Sequence, residues 1–470
     1  MRDLGLIAFL CGLIALGFRR PFLFVLAYAY VDIVSPQRLS YYLLNAIPVS
    51  LICFALALGG WLLADDKRDT RIAGRQWLMI LLLGWVAYTT ATADLPIDAL
   101  DKWSWAWKAL VFAIFLPFTL RTRLRIEALI LYMVLCAASI IIVGGIKTLA
   151  SGGGYGSLSL LVESNSGLYE GSTISTVAVA IVPVILWLAK YGTIFPPDWR
   201  VRLFAGALTF ACLLIPIGTE ARTGLICIFV LGLLMLRATK RRVLYLAMIG
   251  IAGMIAVPLL PSSFTNRMNT IEGYKGDSSA LTRLAVWAWT WDYVQHHPFG
   301  GGFEAYRQNR LVFVVSDTSG TANNSNVDAT VSQDKGRAYH SAYFEMLGEQ
   351  GFPGLAMWLL LHLSGLFGME RIRRRYLRAT GEDAWIAPLA TALQHGQLIY
   401  LAGALFVGIA FQPFIFMLIG VQIALTQQMQ RRERKSGPRP FIAQRRSAFA
   451  PHARAGVRAS TAPVSTQPRQ

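Results

Sequence analysis

The chain has 470 residues, 55% of them hydrophobic and 15% charged, with a mean hydropathy of +0.48. This is too apolar for an ordinary soluble domain, and apolar runs of membrane-crossing length recur along it, so the sequence reads as an all-α, polytopic membrane protein. A net charge of +18 would point to nucleic acid in a soluble protein; here its spacing follows membrane topology, and no nucleic-acid partner is expected.

Lipid offers no hydrogen bonds to a backbone, and the alternation of a barrel strand is absent, so the runs are read as helices. They fall near residues 4–18, 21–36, 43–63, 76–92, 104–120, 126–146, 172–190, 201–218, 222–236, 242–260, 340–367, 386–411 and 413–428. The first has signal-peptide length, yet Arg19-Arg20 follows at once and no small-x-small cleavage site is present; it reads as a retained span or half-span. Because only Arg19-Arg20 separates the first two short runs, they are either two spans or a hairpin that does not fully cross, giving about 12 or 13 spans in all.

The connecting segments alternate in charge. Lys67, Arg68, Arg71 and Arg75 are followed by Asp94, Asp98 and Asp101, and these by Arg121, Arg123 and Arg125. Further basic groups stand at Lys190/Arg200/Arg202, at Arg237/Lys240/Arg241/Arg242 and at Arg371/Arg373/Arg374/Arg375/Arg378, and most of the 44 Lys and Arg thus fall on one side. The positive-inside rule makes that side cytoplasmic, with the C-terminus. The long polar loop 261–339 then faces the periplasm.

Three regions follow: a membrane region 1–171, a membrane domain 172–428 that contains the loop 261–339, and a basic tail 429–470 whose Arg/Pro/Ser/Ala-rich composition reads as disordered. The Gly/Ser-rich segment from Ser151 to Gly171 is either a re-entrant or capping loop or a flexible connector. All five cysteines lie inside apolar runs, which implies neither a disulfide framework nor a cysteine metal site. The absence of an apparent internal repeat disfavours a transporter built from inverted repeats.

Charged residues at a membrane edge are costly enough to be functional candidates. Arg222 sits in Gly218-Thr-Glu-Ala-Arg222, a minimal outward turn between two runs; the plainer role is an ion pair with Glu220 or a snorkelling arginine. Arg283 opens an amphipathic, Trp-rich helix in the polar loop, suited to the lipid interface. His296-His297-Pro-Phe-Gly-Gly-Gly302 ends that helix, and the glycines permit close approach of the backbone to a ligand or neighbouring helix. His340 is read as the first residue of the next helix, whose dipole would keep the imidazole neutral and able to act as a general base; an interface role is the plainer alternative. Glu345 and Glu349 follow one turn apart, and Glu349 is deep enough to be paired rather than solvated.

His340-Ser341, nine residues, then Gly351-Phe-Pro-Gly354 resembles the H-(N/S/Q)-x9-G-x-x-G signature of the bacterial O-antigen ligase and polymerase superfamily, placed as in that family after the large periplasmic loop. Arg222-Thr-Gly-Leu-Ile226 is similar to the family's R-x-x-x-L motif, with Ile at the fifth position. Residues 1–428 resemble most closely the exosortase A system-associated O-glycosylation ligases, with region 1–171 specific to that branch. The shared residues include Met1-Arg-Asp-Leu4, Ser35-Pro-Gln-Arg-Leu39, Arg267-Met-Asn-Thr-Ile271, Tyr274, Asp277 and Arg283. A departure stands at Glu170-Gly-Ser-Thr173, where that branch carries an Asp-Asn-Asn-like segment.

The resemblance implies a multi-pass inner-membrane glycosyltransferase that moves a glycan from a polyprenyl diphosphate carrier to a lipid, protein or glycan acceptor. His340, Arg222 and Arg283 would be catalytic, and Arg222, Arg283, Tyr274, Asp277 and Glu349 would bind donor or acceptor among membrane lipids. A diphosphate leaving group needs fixed cations, which the arginines supply. No acidic metal-binding pair is evident, so the expected transfer needs neither metal nor cofactor. A polymerase of the same fold is the near alternative; a lipid-linked oligosaccharide transporter ranks lower, because charges gather at one face around the loop.

Overall fold

The computed structural model describes residues 2–40, 44, 47–65, 67, 70–151, 168–237, 278–321 and 324–436. Its first helices are α1 (Arg2–Arg19), α2 (Phe22–Val34), α3 (Pro36–Leu39), α4 (Val49–Ala64), α5 (Gly74–Ala91), α6 (Pro96–Thr119) and α7 (Arg123–Ser151). Next come α8 (Gly171–Tyr191), α9 (Trp199–Gly218), α10 (Arg222–Arg237) and α11 (Ser278–His296). An antiparallel hairpin, β1 (Arg310–Thr321) and β2 (Asn324–Lys335), precedes α12 (Ala342–Arg375), α13 (Ile386–Ala404) and α14 (Pro413–Ser436). Met1–Gln428 forms one compact unit and Met429–Gln470 another, of which the end of α14 is described.

The protein is an all-α, polytopic membrane protein. Each apolar run within the described residues carries a helix, because hydropathy and the need to close backbone hydrogen bonds act together, but the run 386–411 is helical only as far as Ala404. The run 242–260, the segment 152–167, Tyr274, Asp277 and the tail beyond 436 lie outside the described residues. Among the described residues, four helices, α7, α8, α9 and α12, are long and apolar enough to cross a membrane by themselves, and α2 and α4 are shorter apolar helices. With 13 residues, α2 rises roughly 20 Å, short of a hydrocarbon core of about 30 Å. α1 folds back along it, with Phe9 on Tyr30 and Phe18 on Phe24 in edge-to-face contact.

Three features depart from the sequence reading. α6 starts at Pro96 rather than near 104: a proline in the first turn is already shaped for a helix start, and Asp98 suits its positive end. Asp98 and Asp101, expected in a loop, are therefore helical, and Lys102, on the same helix, is buried. The polar loop contains the β1–β2 hairpin, paired from Arg310↔Lys335 to Thr321↔Asn324.

Arg75 is not a loop cation either. It is the second residue of α5, and its guanidinium is buried, donating to Gln422 Oε1 at 2.9 Å. Gln422 donates to Gln397, and Gln397 to His362 Nδ1, each at 2.9 Å. This ladder satisfies buried polar groups on α5, α14, α13 and α12 in the half of the bundle opposite the polar loop.

Candidate functional site

The site is organised by a break in α12. Gly351 has φ 65° and ψ −169°, so the helix stops at Gln350 and restarts with Pro353 in its new first turn. The break frees backbone groups, and the glycine turn of the polar loop takes them up. Gly301 N donates to Gly348 O and Gly302 N to Glu349 O, both at 3.0 Å, and Phe352 N donates back to Pro298 O at 3.0 Å. A Cβ at Gly351 would meet Pro298 O at 2.3 Å, and one at Gly300 would meet Glu349 O at 2.5 Å. The first glycine of the signature thus admits another backbone, and the second, Gly354, leaves room for the side chains of Gln350 and Trp85.

The C-terminal end of α5 closes the far side of this junction. Trp85 Nε1 donates to Gln350 O at 2.8 Å, Thr89 Oγ1 to Gln350 Oε1 at 2.6 Å, and Asp94 N to Gly301 O at 2.9 Å. Asp94 Oδ2 also accepts from Tyr293 and from Gln308, tying α11 to the same point.

Beneath the junction lies an ion cluster invisible in the sequence. Lys102 Nζ stands 2.7 Å from Glu345 Oε1, 2.8 Å from Glu349 Oε1 and 3.9 Å from Glu304 Oε1. Glu349 is fully buried, and its Oε1 also accepts from Glu304 N at 3.0 Å. Glu345 Oε2 accepts from Ala410 N at 3.0 Å. Phe303 and Phe411 cover the ammonium, with ring centroids 5.2 and 5.9 Å away. Burial raises the Glu304 pKa, but the Lys102 charge and hydrogen bonds from Tyr306 and Arg307 outweigh it, leaving the group below the usual carboxylate range.

His340 does not begin α12. It precedes the N-cap Ser341, is partly covered by protein while keeping a face open to solvent, and holds φ 48°, a left-handed conformation uncommon for residues other than glycine. Tyr339 on one side is buried against Val286 and Leu311, and Ser341 on the other is buried, so the histidine is presented by two anchored neighbours. Its pKa is lowered as expected, for a different reason than the helix dipole. Desolvation by the surrounding protein contributes most, the positive charges of Arg283 and Arg337 add to it, and Glu170 opposes them.

Arg283 reaches this position through α11. Trp287, one turn further along the same face, donates Nε1 to Tyr339 O at 2.8 Å and stacks on Phe344 with ring centroids 4.9 Å apart. Glu170 caps α8, accepting from Thr173 N at 3.2 Å and from the Thr173 hydroxyl. The departure at Glu170-Gly-Ser-Thr173 is thus a helix start whose acidic cap is near enough for its charge to act on His340. Arg222 opens α10, whose first turn packs on α8 and α9: a Cβ at Gly224 would meet Pro216 at 2.5 Å and Ser175 at 3.0 Å. Ser175 and Thr219 share a hydrogen bond of 2.8 Å beside it. α8 therefore brings the N-terminus of α10 to the same end of the bundle as Glu170.

His296 and His297 make no joint site: His296 Nδ1 contacts Asp292 O, and His297 stacks on Tyr293. Sequence reasoning missed Lys102 and Glu170. A lysine next to two aspartates resembles a solvated loop, and no pattern signals carboxylates more than two hundred positions away. Glu170 stands out in the sequence only as part of a departure from the family pattern.

No curated protein matches the chain. Residues 1–193 match a family of unknown function, DUF5935. Residues 206–359 match the O-antigen ligase family, so the stretch that contains Arg222, Arg283, His340, Glu349 and Gly351 is similar to O-antigen ligases.

Proposed function

We propose that the protein is an inner-membrane glycosyltransferase, carrying a glycan from a polyprenyl diphosphate to an acceptor hydroxyl on the periplasmic side. The observation that carries this reading is the gathering of His340, Arg283 and the N-termini of α8 and α10 at one end of the bundle, within or beside the stretch similar to O-antigen ligases. The acceptor hydroxyl attacks the anomeric carbon, its proton passes to His340, and the carrier diphosphate leaves. Proton transfer of this kind is worth about 10²–10⁴-fold. Arg283, beside His340, and Arg222, at the positive end of α10, take up the charge that develops on the leaving diphosphate. These fixed cations let the transfer proceed without a metal ion.

Tyr274 and Asp277 remain proposed contacts of the donor or acceptor. Glu349 takes a different place in this reading: its oxygens are engaged inside the protein, and it acts as a positioning residue that holds the polar loop on α12. The resemblance to exosortase-associated ligases favours transfer to a lipid or protein acceptor over chain extension.

The test is product analysis in vesicles containing the purified chain, a polyprenyl diphosphate-linked glycan and acceptor membranes. Glycan released from its carrier and joined to an acceptor hydroxyl supports the ligase. Lengthened glycan still on its carrier would make the protein a polymerase, and unaltered donor moved across the bilayer would make it a transporter.

A further inference from the structure

At the ends of α7, α8 and α9 remote from His340 lies an apolar cavity of ≈ 370 Å³. Leu131, Val134, Ile185, Leu188, Phe204 and Leu208 form its walls, and Glu127 and Arg200 its polar margin. The Glu127 carboxylate is engaged by the protein itself: it accepts from Ile194 N at 2.7 Å, from Thr193 Oγ1 at 2.7 Å and from Thr193 N, so its negative charge is answered by protein donors. Arg200 is exposed, stacks on Trp199 with 5.5 Å to the ring centroid, and forms no ion pair among the described residues. Lys190 in the last turn of α8 and Arg202 in the first turn of α9 are exposed nearby.

An apolar slot on a membrane protein with a cationic rim fits one amphiphile class: an acyl chain joined to an anionic headgroup. We propose that this slot binds one acyl chain of an anionic phospholipid, with its phosphate held by Arg200 and supported by Arg202 and Lys190. The donor's diphosphate belongs elsewhere. Along α7, Glu127 is separated from Thr148, which packs on Gly218 near the candidate site, by roughly 30 Å of helix rise. The slot is also shared between the two family-matched stretches: its walls on α7 and α8 fall within 1–193, and Leu208 within 206–359. A lipid there bridges them.

Native mass spectrometry of the full chain, purified in mild detergent and titrated with phosphatidylglycerol, phosphatidylethanolamine or polyprenyl phosphate, tests the assignment. Wild type is expected to retain phosphatidylglycerol in preference to the other two. Arg200→Ala should retain it about fivefold less, the worth of one basic residue at an anionic surface. Ala205→Trp, which fills the slot, should abolish retention; if that variant does not fold, Arg200→Ala decides the matter, because its side chain is exposed. Equal retention of phosphatidylglycerol by wild type and Arg200→Ala would overturn the proposal. Preferred retention of polyprenyl phosphate would also overturn it, by giving the slot to the donor's tail. Neither result bears on glycan transfer, which is read separately.

Discussion

Lys102 and Glu349 are joined by two hydrogen bonds, 2.8 and 2.9 Å long, in a pocket where the carboxylate has no exposure to solvent. Lys102 comes from the stretch that matches a family of unknown function, and Glu349 from the stretch similar to O-antigen ligases. Their pairing fastens the two together directly below the loop that presents His340. Removing one partner strands a charge in low dielectric, which costs about 3–5 kcal/mol, whereas removing both charges costs less. Lys102→Met should lower the melting temperature of the purified protein sharply, and Lys102→Met/Glu349→Gln should regain part of it. Equal destabilisation by the single and double variants would mean that the pair is not coupled.

Gly351 makes a second, independent contribution. A side chain there would adopt a strained φ and meet Pro298 O, so Gly351→Ala should cost about 1–3 kcal/mol or more and detach the 298–302 turn. Faster limited proteolysis between residues 297 and 309 is the expected signature. Wild-type protection of that turn would contradict the role assigned to the break.

The Glu304 carboxyl titrates below its ordinary value of 4.5. A folded-state pKa lower than the unfolded one stabilises the protein above the unfolded value, and this contribution is lost as pH falls through the folded one. Melting temperature should therefore decline below about pH 4.5 more steeply in wild type than in Glu304→Gln, which has lost that titration.

The arginines are separable from simple topology signals. Arg222→Lys keeps the charge and loses the planar fork; if it grips a diphosphate, transfer should fall strongly at unchanged membrane abundance. Arg283→Ala should slow transfer and also move its pH dependence, because its charge reaches His340. Full activity in Arg222→Ala would remove that residue from the mechanism.

Much of this architecture is legible in the sequence, because hydropathy alone decides where a chain can cross lipid. The starts and ends of α8, α9 and α10 fall within a few residues of the apolar runs. What failed was the reading of local polarity. Asp98, Asp101 and Arg75 read as loop charges and Lys102 draws no notice beside them, yet Lys102 is buried and Arg75 half-buried against partners from distant helices. The same limit applies to the signature motif: its glycines are visible, but the backbone of Pro298 to Gly302 that requires Gly351 is some fifty positions away. The lowered His340 pKa was anticipated, while its cause, desolvation aided by Arg283, depends on tertiary placement.

The most direct test of the central claim is the pH profile of donor-saturated glycan transfer by purified wild type and His340→Gln. A general base must be neutral to accept a proton, and the His340 pKa lies below its ordinary 6.5. Wild-type transfer should therefore rise with pH through an apparent pKa below that value and then level off. His340→Gln, which can hydrogen-bond but take up no proton, should be slower by about 10²–10⁴-fold and lose that titration. Transfer by His340→Gln at nearly the wild-type rate, with the same pH dependence, would contradict the mechanism.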